Sequence, residues 1–163
     1  MKMKKVTILL TIFLTILIFG FLNIAIANDL IVVASKATQK ASLNWFEFLE
    51  IKEVPIKIIT PDAFLKYRNE LYIVVMGSVN EPGGIGEIAK QALTVEEFQS
   101  ISKDGTGKMF FKPQAWNVGQ KVILFVGPNQ AAVDEARKAS RDKWFDMLQE
   151  WFEIVDIEGM HTY

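Results

Sequence analysis

The chain has 163 residues, half of them hydrophobic, with a formal net charge of −1, a single histidine and no cysteine. One histidine without a thiolate excludes a zinc site of the usual kind within one chain, and the lack of cysteine excludes disulfide staples. The fold must therefore stand on packing alone, and the mild acidity argues against nucleic acid, which requires a basic stripe.

The amino terminus reads as an export signal. Lys2, Lys4 and Lys5 form a positive region, residues 6–19 are apolar apart from threonines, and Ala25-Ile26-Ala27 before Asn28-Asp29 is a small-x-small cleavage site. Residues 1–27 are thus expected to be a signal peptide, cleaved after Ala27. The alternative is an uncleaved membrane anchor, since about 20 apolar residues suffice to span a bilayer. In both cases the lysines stay inside and the body lies outside the cytoplasm, and membrane contact is confined to the N-terminal segment if that is retained. The leader holds three of the 18 basic residues and none of the 19 acidic ones, leaving 15 against 19, a net charge of −4. The remainder, residues 28–157, is long enough for one domain with a hydrophobic core. Residues 158–163 carry no pattern and are expected to be a loose tail.

Leu30–Ala34 is a β-branched apolar run, the pattern of a strand covered on both faces. Ser35 can cap the following helix, along which Ala41, Trp45, Phe48 and Leu49 recur at helical spacing. Ile56–Ile59 reads as a second strand. Thr60-Pro61-Asp62 is a helix start, with a hydroxyl cap, a first-turn proline and an acid. A third buried strand spans 71–76.

The loop 77–84 leads into a helix with Ile85, Ile88, Ala89, Ala92 and Leu93 on one face. Thr94 and Glu97 form a capping box, with Leu93 and Phe98 placed as a hydrophobic staple. Asp104-Gly105-Thr106-Gly107 is a turn that lacks the alternating acids of an EF-hand. Strands at 108–112 and 121–126, joined by the loop 113–120, read as an antiparallel pair. The final helix is expected over 130–152, capped by Asn129. Its buried stripe is Val133, Ala136, Ser140, Trp144, Leu148, Trp151 and Val155, and Asp134, Lys138, Arg141, Asp142 and Glu153 face water. This alternation predicts a single three-layer αβα sandwich with a mostly parallel sheet of about five strands, an antiparallel edge strand and right-handed crossovers.

In such a sheet the ligand crevice lies beyond the carboxyl ends of the strands. Those ends carry the candidate ligand-binding residues Ser35, Asp62, Ser78, Asn80, Gly83, Gly84, Gly86 and Asn129. The glycines would let backbone approach a ligand, but the segment matches neither G-x-G-x-x-G nor G-x-x-x-x-G-K-[ST]. Shaping a strand-to-helix turn explains them equally well. No cofactor is expected. Asp62, Glu81 and Glu87 are the carboxylates nearest this face, and ordinary surface acids are the simpler reading. The sole histidine, His161, lies in the tail, so no Ser-His-Asp triad is expected and no catalytic residue is assigned. Trp144, Trp151 and Phe152 on the last helix, with Trp116 in the loop 113–120, are either core or interface anchors.

Residues 72–82, Tyr-Ile-Val-Val-Met-Gly-Ser-Val-Asn-Glu-Pro, resemble a hydrophobic strand followed by a Gly-Gly-Pro-x-x-Asn-type loop. That pattern belongs to the α/β domain of archaeal surface-layer and related cell-envelope proteins. Residues 116–127, Trp-Asn-Val-Gly-Gln-Lys-Val-Ile-Leu-Phe-Val-Gly, are similar to the family's Asn-x-Gly-Lys strand. Ser78-Val79 replaces the family's second glycine and proline, and Pro128-Asn129 stands where the family turns differently. The resemblance implies an exported, non-catalytic envelope domain with a structural or protein-interaction role, whose partner is an envelope protein or wall component. The alternative is an extracytoplasmic small-ligand binder or hydrolase using the loop 77–86.

Overall fold

The computed structural model describes residues 28–154. The leader, Val155 and His161 lie outside the described residues.

Strands β1 (Leu30–Ala34), β2 (Ile56–Ile59), β3 (Tyr72–Ser78), β4 (Lys108–Pro113) and β5 (Lys121–Gly127) form one sheet in the order β2-β1-β3-β5-β4. Neighbours are parallel except β4, which runs antiparallel to β5 at the edge. The helices are α1 (Lys36–Ala41), α2 (Leu43–Ile51), α3 (Phe64–Tyr67), α4 (Ile85–Ala92), α5 (Val95–Asp104), α6 (Gln130–Ala139) and α7 (Arg141–Phe152). The result is a three-layer α/β sandwich.

Side chains alternate across a strand, so each apolar run supplies two cores. Leu30, Val32 and Ala34 of β1, with Val74, Met76, Ile123 and Phe125, face α2, α6 and α7. Ile31, Val33, Ile73, Val75, Leu124 and Val126 face α3, α4 and α5. On the first face Trp45, Trp144 and Phe125 meet edge to face, with ring centroids 5.8–6.4 Å apart, a geometry that aromatic quadrupoles favour.

Two expected helices are broken. The helix expected over 130–152 divides at Ser140 (φ −104°, ψ 17°) into α6 and α7. The helix after Ser35 divides at Ser42 (φ −108°, ψ 18°). A straight helix over 130–152 would run about 34 Å, well beyond the roughly 23 Å of a seven-residue strand. Bending keeps Val133, Ala136, Trp144, Leu148 and Trp151 on the sheet, all buried. Ala41, expected inside, is exposed because the Ser42 break turns α1 away. Thr60 makes no capping bond, and Pro61–Ala63 is a 3-10 turn ahead of a short α3. Strand β3 runs on through Gly77 to Ser78. A Cβ at Gly77 would lie 3.2 Å from both Ile85 and Thr38, so the missing side chain lets the strand pass beneath them.

Local signals elsewhere appear as expected. Thr94 and Glu97 form a reciprocal capping box, and Leu93 and Phe98 join the same core. Gly105, at φ 67°, ends α5, and a Cβ at Gly107 would lie 1.9 Å from the Ala132 carbonyl oxygen. The turn between them is therefore fixed by contact with α6.

At the amino-terminal end of the sheet, Gln120 is 1% exposed. Its Nε2 donates to the carbonyls of Arg68 and Glu70, each at 2.8 Å, and its Oε1 accepts from Trp116 N–H at 3.1 Å. One amide thereby ties the loop 114–120 to the turn before β3. Removing it strands three backbone groups, so Gln120→Ala should lower unfolding free energy by about 2–4 kcal/mol, read by urea denaturation. The opposite sign is expected at Ser42, 1% exposed, whose hydroxyl has no partner. Ser42→Ala removes an unsatisfied buried group and should be neutral or stabilising by up to about 1 kcal/mol, measured the same way.

Candidate functional site

Strand order reverses between β1 and β3, since the chain leaves β1 toward β2 and later builds β5 and β4 on the other side. That reversal is where open α/β sheets place a ligand crevice. The loops after β1, β3 and β5 do converge there, but their polar side chains bind one another.

Ser35 caps α1, accepting from Thr38 N–H at 3.1 Å. Its Oγ lies 2.8 Å from Glu81 Oε1 and 3.2 Å from Thr38 Oγ1, within hydrogen-bond reach of both acceptors. Thr38 Oγ1 donates to Gln130 Oε1 at 2.8 Å, and Gln130 Nε2 donates to Asp134 at 3.1 Å. Ser78 Oγ and Asn80 Nδ2 both donate to the Pro128 carbonyl, at 2.9 and 3.1 Å. The loops after β1, β3 and β5 are thus sewn together by side chains. Glu81 serves a hydroxyl, not a second carboxylate. Glu87 points outward to Lys90 at 2.8 Å, and Asp62 is exposed in the 3-10 turn.

The glycines are used for close approach. A Cβ on Gly86 would lie 2.4 Å from the Val79 carbonyl oxygen; Gly84 has φ 90° and faces Pro61, with 3.2 Å available. Gly83 has ordinary room, 3.7 Å from Ser35 Cβ. Asn129 caps α6, accepting from Ala132 N–H at 3.0 Å. Ser35, Ser78, Asn80, Gly83, Gly84, Gly86 and Asn129 therefore gather at one end of the sheet, in the service of loop geometry. Thr38 and Gln130 escaped the sequence reading. Thr38 stood three residues after a capping serine, a spacing that hinted at it, whereas no local signal pointed to Gln130.

The aromatic candidates divide. Trp144 and Trp151, 3% and 7% exposed, lie within the first core and offer no surface anchor. Trp151 stacks on Tyr72 at 5.3 Å, and the partly buried Phe152 tilts onto the same ring at 4.9 Å. Tyr72 thus takes both neighbours, although they point about 100° apart on the helix. Trp116 packs edge-on to Phe64 at 4.9 Å. Among the described residues no group of three or more His, Cys, Asp or Glu side chains could hold a metal ion.

Gly86→Ala should therefore destabilise the fold by more than about 1 kcal/mol, because the clash is with backbone, and Gly84→Ala by about 1 kcal/mol through its positive φ. Gly83→Ala should stay within about 0.5 kcal/mol of the parent. Thermal denaturation of the three variants checks the ranking.

Comparison with known protein families, with curated proteins and with solved structures finds no significant match to this chain.

Proposed function

We propose that the chain is an exported, non-catalytic domain of the cell envelope that works by association with another envelope protein or a wall component. The observation that carries this reading is the closure of the strand-end face. Ser35, Glu81, Thr38, Gln130, Ser78 and Asn80 satisfy one another or the backbone, so a ligand there would have to break bonds already made. Among the described residues Ser35 meets a carboxylate and no imidazole, so the Ser–His pairing familiar from nucleophilic catalysis is not assembled there. The lysine, apolar and Ala-Ile-Ala order of residues 1–27 supports export, and the resemblance of residues 72–82 and 116–127 to surface-layer domains points to the same compartment.

Fractionation of cells followed by amino-terminal sequencing tests the assignment. The expected product begins at Asn28 and lies outside the cytoplasmic membrane. An intact Met1 in the cytosol overturns export, and an intact Met1 in the membrane fraction replaces cleavage with an anchor.

A further inference from the structure

The face of α2 and of the α6–α7 bend that points away from the sheet carries a groove that the strand-end network does not touch. It encloses about 470 Å³, within the range of ligand-sized pockets. Its apolar part exposes Phe48 and Ile51 above the almost fully covered rings of Trp45 and Trp144, and its polar lining includes Arg137, Lys138, Arg141 and Lys52 with one acid, Glu47. The bends at Ser42 and Ser140 begin the helix segments that carry Trp45 and Trp144.

Among the described residues, Arg137, Lys138 and Arg141 are poorly matched by carboxylates. The Arg137 side chain is only 15% exposed, yet its one acidic neighbour, Asp134 Oδ1, stands 4.0 Å from Nη2. Its guanidinium lies over the Trp45 ring, 5.8 Å from the centroid, and its buried Nε has no acceptor. Burial lowers its affinity for a proton, with only Asp134 opposing. Neither Lys138 nor Arg141 forms an ion pair with a carboxylate among the described residues. Leu43 and Ile51, at the two ends of α2, are 54% and 61% exposed. This positive, aliphatic-edged surface sits on a chain whose formal charge is negative.

From the charge mismatch around Arg137, we propose that this groove binds an acidic, extended segment of a partner protein that carries an apolar side chain between its carboxylates. The apolar side chain lies against the half-buried Phe48 and the exposed Ile51, and carboxylates meet Arg137, Lys138 and Arg141. A guanidinium fork matches a planar carboxylate in two-point contact. The lining from Asn44 to Lys52 runs about 12 Å along α2, the length of roughly four extended residues. This names the class of partner for the association proposed above and rests on that reading, but its test needs no knowledge of where the protein resides.

The test titrates residues 28–163 with the acetylated hexapeptide Glu-Asp-Leu-Phe-Asp-Glu and follows tryptophan fluorescence and heat. Saturable binding is expected, at least 10-fold weaker for the amide counterpart Gln-Asn-Leu-Phe-Asn-Gln and weakened by salt. Lys138→Glu with Arg141→Glu changes only groove-rim residues outside the core and should reduce binding at least 10-fold with an unchanged melting midpoint. Arg137→Gln should do the same; if it unfolds, the rim pair still decides. Equal binding of the two peptides, or binding that survives the rim variant, overturns the proposal. So does tight binding of indole-3-acetate alone with no gain from flanking acids, which would make the groove a small-ligand site. Sedimentation with phosphatidylglycerol vesicles, lost in the rim variant, with no peptide binding would assign a membrane surface instead. Absence of all binding by an envelope-located protein would overturn the groove assignment and leave the association reading standing, whereas a cytosolic location with specific peptide binding would do the reverse.

Discussion

Every other feature of this molecule follows from the need to cover both faces of β1, β3 and β5. All five residues of β1 are buried, as are Ile73 to Ser78 in β3 and Val122 to Gly127 in β5. A parallel sheet of this kind has no face left for water, so a helix layer is required on each side. The first layer is the more demanding. Its helices are bent at Ser42 and Ser140, and the bends bring Trp45 and Trp144 together above Phe125. Burial of rings of that size dominates core energetics.

The strands were legible because the chain writes them as short β-branched runs. β1 and β2 coincide with their expected bounds, β4 and β5 each run one residue longer at the carboxyl end, and β3 starts one residue later and ends two later than expected. Capping chemistry was equally legible at Ser35, Thr94 and Asn129, where a side-chain oxygen and an amide lie within three residues of each other. The breaks were not. Ser42 and Ser140 interrupt runs of good helix formers and are imposed by the sheet each helix must follow, a tertiary demand that propensity does not contain. Gln120 was hidden for a related reason: its partners Arg68 and Glu70 are about 50 positions away, and nothing beside it in the chain announces them.

The two surfaces considered as sites illustrate opposite errors of local reading. The strand-end loops collect serines, acids and glycines, which look reactive one by one, yet three-dimensional proximity turns them into partners of each other. Lys138 and Arg141 read as an ordinary solvated helix face. Only the bend at Ser140 and the approach of α2 set them, with Arg137, beside the half-buried Phe48 and the exposed Ile51. Charge in a sequence has no address until the fold supplies its neighbours.

The sheet margins carry one more consequence. β2 is four residues long and exposes Lys57 and Ile58, while β4 carries Lys108 and Lys112 and ends in Pro113. Short length, lysine and proline are the devices by which natural sheets discourage a foreign strand from pairing with an open margin. Backbone-to-backbone extension, the simplest way for α/β domains to zip into fibres, is therefore disfavoured at both rims. Assembly of this domain is left to side-chain surfaces, where sequence and not main-chain hydrogen bonding chooses the neighbour.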